Sequence, residues 1–362
     1  MRGDDDSDTS SIRSSVRPSK GRSASIDRAP PSLPSKGASK ATVSRPVSKL
    51  RPKAPLSVPE DSNLLEVAKL MVAQRADAAL LVGTRGRLSG IVTDNDITKR
   101  VVSKGVDPSS TAVSAVMTKG PKCVSLEDSA VDALELMVDN RFRHLPVLDR
   151  DGAVVGLLDI AKCLYDAISI MEKVQKKQEA EGKGGADATS AAALSLAMKK
   201  VMGSKGGGNR AQLAAMQALM DNMFGGSVPT LRSIIGDHEF VHVSPGASVL
   251  EASQVMAEER KGVLVMDGDE LVGILTPKDL LNRVVAKELS TEDVTVEEVM
   301  TAHPACVSAD LTLLDAMREM HDQKFLHLPV REEGSGRVLG LLNVMDLMCS
   351  TCLLYTSPSP RD

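Results

Sequence analysis

Apolar positions along this chain alternate between a helical and an extended period, and the alternation follows one order four times. Leu64, Val67, Ala68 and Met71 share a helical face, which predicts a helix over Leu64–Gln74. A short extended piece, Leu56–Val58, and the polar turn Pro59-Glu60-Asp61-Ser62 precede it. The runs Ala78–Val82 and Ser89–Val92, separated by a turn at Gly83–Gly86, predict two paired strands. A further helix starts at Thr93 and extends to about Ser103. The unit is therefore strand, helix, strand, strand, helix. It returns as Lys122–Val124, Ala130–Asp139, Leu145–Leu148, Val154–Leu157 and Ile160–Ser169. A third unit has its helix at Val249–Glu259. A fourth has a helix at Leu311–Gln323 and strands at Leu328–Val330 and Val338–Leu341.

Residue identities show that this is duplication. Phe142-Arg143-His144-Leu145-Pro146-Val147 returns 183 residues later as Phe325-Leu326-His327-Leu328-Pro329-Val330. Met117-Thr118 returns as Met300-Thr301, and Gly90-Ile91-Val92-Thr93 as Gly273-Ile274-Leu275-Thr276, at the same offset. Within each half, Gly156-Leu157-Leu158-Asp159 and Gly340-Leu341-Leu342-Asn343 echo the same glycine-led strand. A repeat of this kind sets the architecture before any motif is read. The expectation is an α/β fold of four units in two pairs, at residues 54–170 and 231–350.

The remaining segments differ in composition. Residues 1–53 are rich in Ser, Pro, Lys and Arg and read as a disordered tail, unable to bury enough apolar surface to offset chain entropy. Residues 171–230, rich in Ala, Gly, Lys and Met, read as a linker between the pairs. Within it, the Met-rich stripe of Arg210–Phe224 reads as a helix packing on a module. Residues 351–362 break the repeat and resemble the translation of a sequencing-library adapter. They are set aside, with the expectation that the natural protein continues past this point.

Composition narrows the function. The chain has 362 residues, 42% hydrophobic and only 2% aromatic, so its cores are aliphatic. Few aromatics also argue against single-stranded nucleic-acid binding, which uses stacking platforms. Residues 1–53 carry twelve Lys/Arg against five Asp, while the remainder carries 32 basic against 43 acidic residues. An acidic folded part is a poor partner for phosphate backbones. The five cysteines read as buried reduced thiols, and neither a signal peptide nor a spanning run is visible. The expectations are a cytoplasmic location, no membrane, no nucleic acid, no metal and no catalytic residues. No nucleophile elbow, P-loop or metal-ligand cluster appears, and the nearby His238 and His242 read as structural.

Two constellations carry candidate chemistry. The first is Thr93-x-x-Asp96 and Thr276-x-x-Asp279, where a strand ends and a helix begins. These residues can cap the helix. Equally, a helix N-terminus can hold a phosphate, beside a carboxylate able to accept both hydroxyls of a ribose. The second is Arg141, Arg143 and His144, matched by Lys324 and His327, before the strand of the even repeats. Such cations either complement a helix C-terminus or recognise phosphate.

Together with Leu158-Asp159-Ile160-Ala161-Lys162-Cys163-Leu164-Tyr165-Asp166-Ala167-Ile168, these motifs resemble cystathionine-β-synthase (CBS) domains paired into two Bateman modules. The arrangement is similar to plant, algal and fungal proteins in which four CBS domains precede a Phox/Bem-type interaction domain. The resemblance implies a regulatory protein binding an adenosine-type ligand (AMP, ADP, ATP or S-adenosylmethionine) in clefts between paired repeats. It places Thr93 and Asp96 opposite Arg141, Arg143 and His144, and Thr276 and Asp279 opposite Lys324 and His327. Asn343 and Asp346 form a partial match. Asp159 and Lys162 stand where Thr and Asp belong, so repeat two departs from the pattern. Modules are expected to pair either within the chain or in a homodimer, with a protein partner met through the tail or a further C-terminal domain. The alternatives are a scaffold without ligand and the regulatory part of an enzyme whose catalytic domain lies elsewhere.

Overall fold

The fold begins with the hairpin. In repeat 1, Ala78–Val82 pairs antiparallel with Leu88–Thr93 and parallel with Leu56–Pro59, and the helix Leu64–Ala73 crosses between the parallel strands. Its buried Leu64, Val67, Ala68 and Met71 are the predicted apolar stripe. Repeats 2, 3 and 4 repeat the pattern, with hairpins His144–Leu148/Val154–Asp159, Val263–Asp267/Glu270–Leu275 and His327–Arg331/Val338–Asn343. The computed structural model describes residues 46–83, 86–163, 165–166, 229–236 and 240–349. The Met-rich stripe, nearly all of the expected linker, His238 and residues 351–362 lie outside them.

The sheets of repeats 1, 2 and 3 are completed by chain from outside their own repeat. Thr118–Lys119, after repeat 1, pairs with Gly90 and Ile91, and Thr301–Ala302 pairs with Gly273 and Ile274. In repeat 2 the edge comes from before repeat 1: Lys53 and Leu157 exchange both backbone hydrogen bonds at 2.9 Å. These crossings account for the repeated glycine. A Cβ on Gly90 would land on Met117 Sδ and within 3.0 Å of the Thr118 carbonyl, and one on Gly273 would land on Met300 Sδ. Gly156 sits under Pro52 and Gly340 under Phe240. Gly90→Ala and Gly273→Ala are each expected to destabilise the protein by about 1–3 kcal/mol through overpacking, measured by chemical denaturation. Unchanged midpoints would mean that the thioethers slide aside freely.

This pairing corrects the tail boundary. Residues 46–53 are part of the fold. Val47–Leu50 form a short helical turn whose Val47 and Leu50 are buried against repeat 2, and Pro46 bridges to Ser129. Two apolar residues one turn apart suffice because repeat 2 supplies the rest of the core. Several boundaries also shift. The helix after Thr93 ends at Arg100 and continues as a tighter turn, Val102–Lys104. The fourth-repeat helix starts at Leu313, because Thr312 accepts from the Asp315 amide as its cap. The short strand of repeat 2 is Val124–Ser125.

Four apolar clusters join the repeats into one ring. Within a module the two sheets meet: Ala78, Leu80 and Ile91 against Leu157 in the first, Leu264 and Ile274 against Val338 and Leu341 in the second. Between modules the helices meet. Val67, Met71 and Ile97 of repeat 1 share a core with Val249, Met256 and Leu280 of repeat 3. Met137 and Ile160 of repeat 2 share one with Met317, Met320 and Leu347 of repeat 4. Tyr165 donates across that seam to the Met320 and Phe325 carbonyls at 3.4 Å. Both of these shared cores are formed between the two modules of one chain.

Candidate functional site

The Thr-x-x-Asp motifs form complete capping boxes. Asp96 Oδ2 accepts from Thr93 N (3.0 Å) and Thr93 Oγ1 (2.8 Å), while the Asp96 amide donates to Thr93 Oγ1 (3.2 Å). Its other oxygen accepts from Thr118 Oγ1 (3.2 Å) and faces Arg100 Nη1 (3.2 Å). Asp279 repeats this with Thr276, Thr301 (3.1 Å) and Arg283 (3.4 Å). A carboxylate offers about four acceptor positions, so both aspartates are satisfied inside their own modules. Asn343 and Asp346 also cap their helix. Asn343 Oδ1 accepts from the amides of Met345 and Asp346, and Asp346 Oδ2 from Asn343 N at 2.9 Å.

Of the predicted cations, the fold brings only some to the clefts. Arg143 crosses from repeat 2 to repeat 1, where its Nη2 donates to Asp77 Oδ2 at 2.5 Å. Asp77 immediately precedes the first hairpin strand, and its carbonyl accepts from the Asp94 amide at 3.1 Å. The guanidinium therefore lies against the Thr93–Asp94 corner. His144 pairs across its strands with Asp159, and its Nε2 lies 3.3 Å from Arg143 Nη2. His327 lies beside Thr276: its Nε2 accepts from Gly262 N at 3.4 Å, and a Cβ on Gly262 would touch both residues.

Arg141 and Lys324 do not join them. Each is the exposed left-handed residue, φ 50° and 59°, that turns the chain out of a helix. The unwinding helix end, rather than a ligand, accounts for their position. In repeat 2, Asp159 accepts from Ala161 N at 3.0 Å and pairs with Lys53 at 3.3 Å, while Lys162 donates to the Arg51 carbonyl. That departure from the motif is already filled by chain preceding repeat 1.

The electrostatics converge on Arg143. Burial opposes its charge, but Asp94, Asp77 and Asp159 outweigh burial and raise its pKa. Burial would push Asp77 up as well, yet Arg143 and Lys278 hold it below the usual carboxylate range. Lys278 Nζ lies 3.0 Å from Asp77 Oδ1, reaching in from repeat 3. Asp94, 5% exposed, is pushed up to about 6 by burial, against Arg143 and with the neighbouring Asp77 adding to the rise. Burial pushes His144 and His327 down to about 4. Arg143 adds to both, and Lys261 adds to His327. Asp77, Asp94, Lys278 and Lys53 were not singled out by the sequence reading. Asp77 and Asp94 flank the two hairpin strands, which is the signal that could have found them.

Comparison with known proteins follows the same outline. The sequence profile of the CBS domain matches residues 47–103, 113–173, 232–286 and 296–349. The chain belongs to the CBS domain family. The CBS domain-containing protein CBSCBSPB3 of Arabidopsis thaliana is 41% identical over 305 residues, covering 84% of this chain and 52% of that protein. Meiotically up-regulated gene 70 protein of Schizosaccharomyces pombe is 32% identical over 308 residues, covering 81% and 41%. The chain spans about half the length of the curated relatives it matches. Protein MJ1225 of Methanocaldococcus jannaschii superposes with a TM-score of 0.57 over 85% of this chain and all of that one. Its 13% identity makes that a likeness of fold. Among the described residues, no helix is long and apolar enough to cross a membrane, and no group of His, Cys, Asp or Glu is placed to hold a metal ion. The described cysteines are free thiols, and burial pushes Cys163 up to about 12.

Proposed function

We propose that this CBS protein is a non-catalytic regulatory protein that binds an adenosine-type ligand in the clefts between its paired repeats. The observation that carries the reading is the position of Arg143. It reaches from repeat 2 to the helix N-terminus of repeat 1, where the ligand's phosphate would sit. Its Nε is buried and has no acceptor, which is uncommon for a buried donor. In the second module, Thr276, Asp279 and His327 play the corresponding parts, with Lys278 at the mouth. Asp96 and Asp279 receive the ribose hydroxyls by exchanging Thr118 and Thr301, or the adjacent arginines, for the sugar.

A scaffold without ligand is the second reading, and the completeness of both capping boxes favours it. Isothermal titration of the full chain with AMP, ATP and S-adenosylmethionine separates the two. Saturable binding is expected, weakened roughly ten- to a hundredfold by Asp96→Asn or Asp279→Asn as ribose hydrogen bonds to a charged acceptor are lost. These variants keep the shape of the cap. Equal binding by all three proteins would remove the site assignment, and no binding of any of the three ligands would favour the scaffold.

A further inference from the structure

Asp77 holds two cations from two other repeats. One oxygen takes Arg143 Nη2 of repeat 2 at 2.5 Å, and the other takes Lys278 Nζ of repeat 3 at 3.0 Å. We infer that Asp77 is a built-in counter-anion: it occupies the two cations that a ligand's phosphate group requires, so phosphate binding competes with a contact that ties the first module to the second. The inference rests on the nucleotide reading above and adds its regulation.

Three observations support it. Asp77 leaves Arg143 half used, because a guanidinium reads one planar anion with two parallel donors. Here Nη2 is engaged while Nε is buried without an acceptor. A phosphate, with three terminal oxygens, can fill both donors and still reach Lys278.

The repeats are also unequal at this place. The residue immediately before the first hairpin strand is Asp77, Arg143, Gly262 and Leu326 in the four repeats. The residue after the capping position is Asp94, Ile160, Pro277 and Val344. Carboxylates stand there only in repeat 1. Around His327 the charges that act are Arg143 and Lys261, both cationic.

Finally, Lys278 lies inside the Thr276–Asp279 motif of the second module, yet its carboxylate partner is in the first. An anion bound at that motif draws Lys278 off Asp77. Asp94, whose amide donates to the Asp77 carbonyl, also acts on Arg143 and stays beside the guanidinium when Asp77 is displaced. A ligand shifts an equilibrium only by its differential affinity for two states. Here the two states are the pair made and the pair broken, which makes the ligand's charge the quantity that the protein senses.

The test is titration of the full chain with AMP, adenosine and inorganic phosphate, comparing wild type, Asp77→Asn, Asp77→Glu and Lys278→Gln. Asp77→Asn is expected to bind AMP about tenfold more tightly than wild type, a coupling of ordinary size, with adenosine unchanged. Asp77→Glu keeps the counter-charge and should stay close to wild type. Lys278→Gln, at a side chain 53% exposed, should fold normally and lose AMP affinity while keeping adenosine. AMP binding by Asp77→Asn that equals or falls below wild type, with adenosine intact, overturns the inference and leaves the nucleotide reading standing. If no variant binds AMP or adenosine, the nucleotide reading fails, and the phosphate arm alone decides. Tighter phosphate binding by Asp77→Asn then still supports the counter-anion, and equal or absent phosphate binding overturns it. If Asp77→Asn does not fold, Lys278→Gln decides: AMP binding unchanged from wild type overturns the inference.

Discussion

Arg143→Met should destabilise this protein by about 3–5 kcal/mol, the usual consequence of removing one partner from a buried charge network. Chemical denaturation of the full chain would measure it. The guanidinium is the one group acting on Asp77, Asp94 and Asp159 together. After its loss Asp77 retains Lys278 and Asp159 retains Lys53, but buried Asp94 keeps only the Asn95 amide and the weaker pull of Lys278 against the repulsion of Asp77. Its carboxyl, already pushed up to about 6, rises further. A folded pKa above the unfolded value penalises the ionised form, so this cost is absent at low pH and grows as pH rises through the folded pKa. The variant's defect should therefore be larger at pH 8 than at pH 5. Asp94→Asn in the same chain should restore part of the loss, and a double-mutant cycle isolates that coupling. A defect below about 1 kcal/mol that did not depend on pH would mean that the network carries no stability.

Acid should also unfold the wild-type protein earlier than its carboxylates alone predict. His144 and His327 are both held neutral, pushed down to about 4 from an ordinary 6.5. Their geometry agrees, since His327 Nε2 accepts from the Gly262 amide and His144 Nε2 faces Arg143. A proton on either nitrogen would oppose a donor. A depressed folded pKa means that the unfolded chain binds protons first. The stability is thus fully present above pH 6.5 and is lost as pH falls toward about 4. Each imidazole contributes on the order of 2–3 kcal/mol across that window. Asp94 acts in the opposite sense between 3.8 and about 6, so it offsets roughly one of the two histidines. His144→Gln and His327→Gln keep an acceptor and cannot be protonated. Each should flatten the fall in urea midpoint between pH 7 and pH 4.5, and Asp94→Asn should steepen it. Equal slopes in all four proteins would show that the imidazoles are accessible to protons in the native state.

Periodicity and duplication were enough to read the fold from the chain. Leu64, Val67, Ala68 and Met71 mark a helix because burial on one side requires that spacing. The repeated glycines mark positions where another strand presses on the backbone, although the covering residues, Met117, Pro52, Met300 and Phe240, lie outside the repeat and cannot be inferred from the glycine itself. The capping boxes were also legible, since a cap involves residues only three apart.

The candidate site was legible only in part, for a reason of distance. Arg143 and Asp77 are 66 residues apart, and Lys278 is about 200 from Asp77 along the chain. No local pattern tells Arg143, which crosses to the neighbouring repeat, from Arg141, which turns the chain out of its helix. Similarly, Val47 and Leu50 in a Ser- and Pro-rich stretch reveal their burial only once repeat 2 is present to receive them. Sequence alone determined the repeated unit, its helices and hairpins, and its family. Tertiary structure decided which units share a core and which charges from different repeats meet. Local order follows from spacing along the backbone, whereas the pairing of distant charges follows from where packing of the apolar faces leaves them.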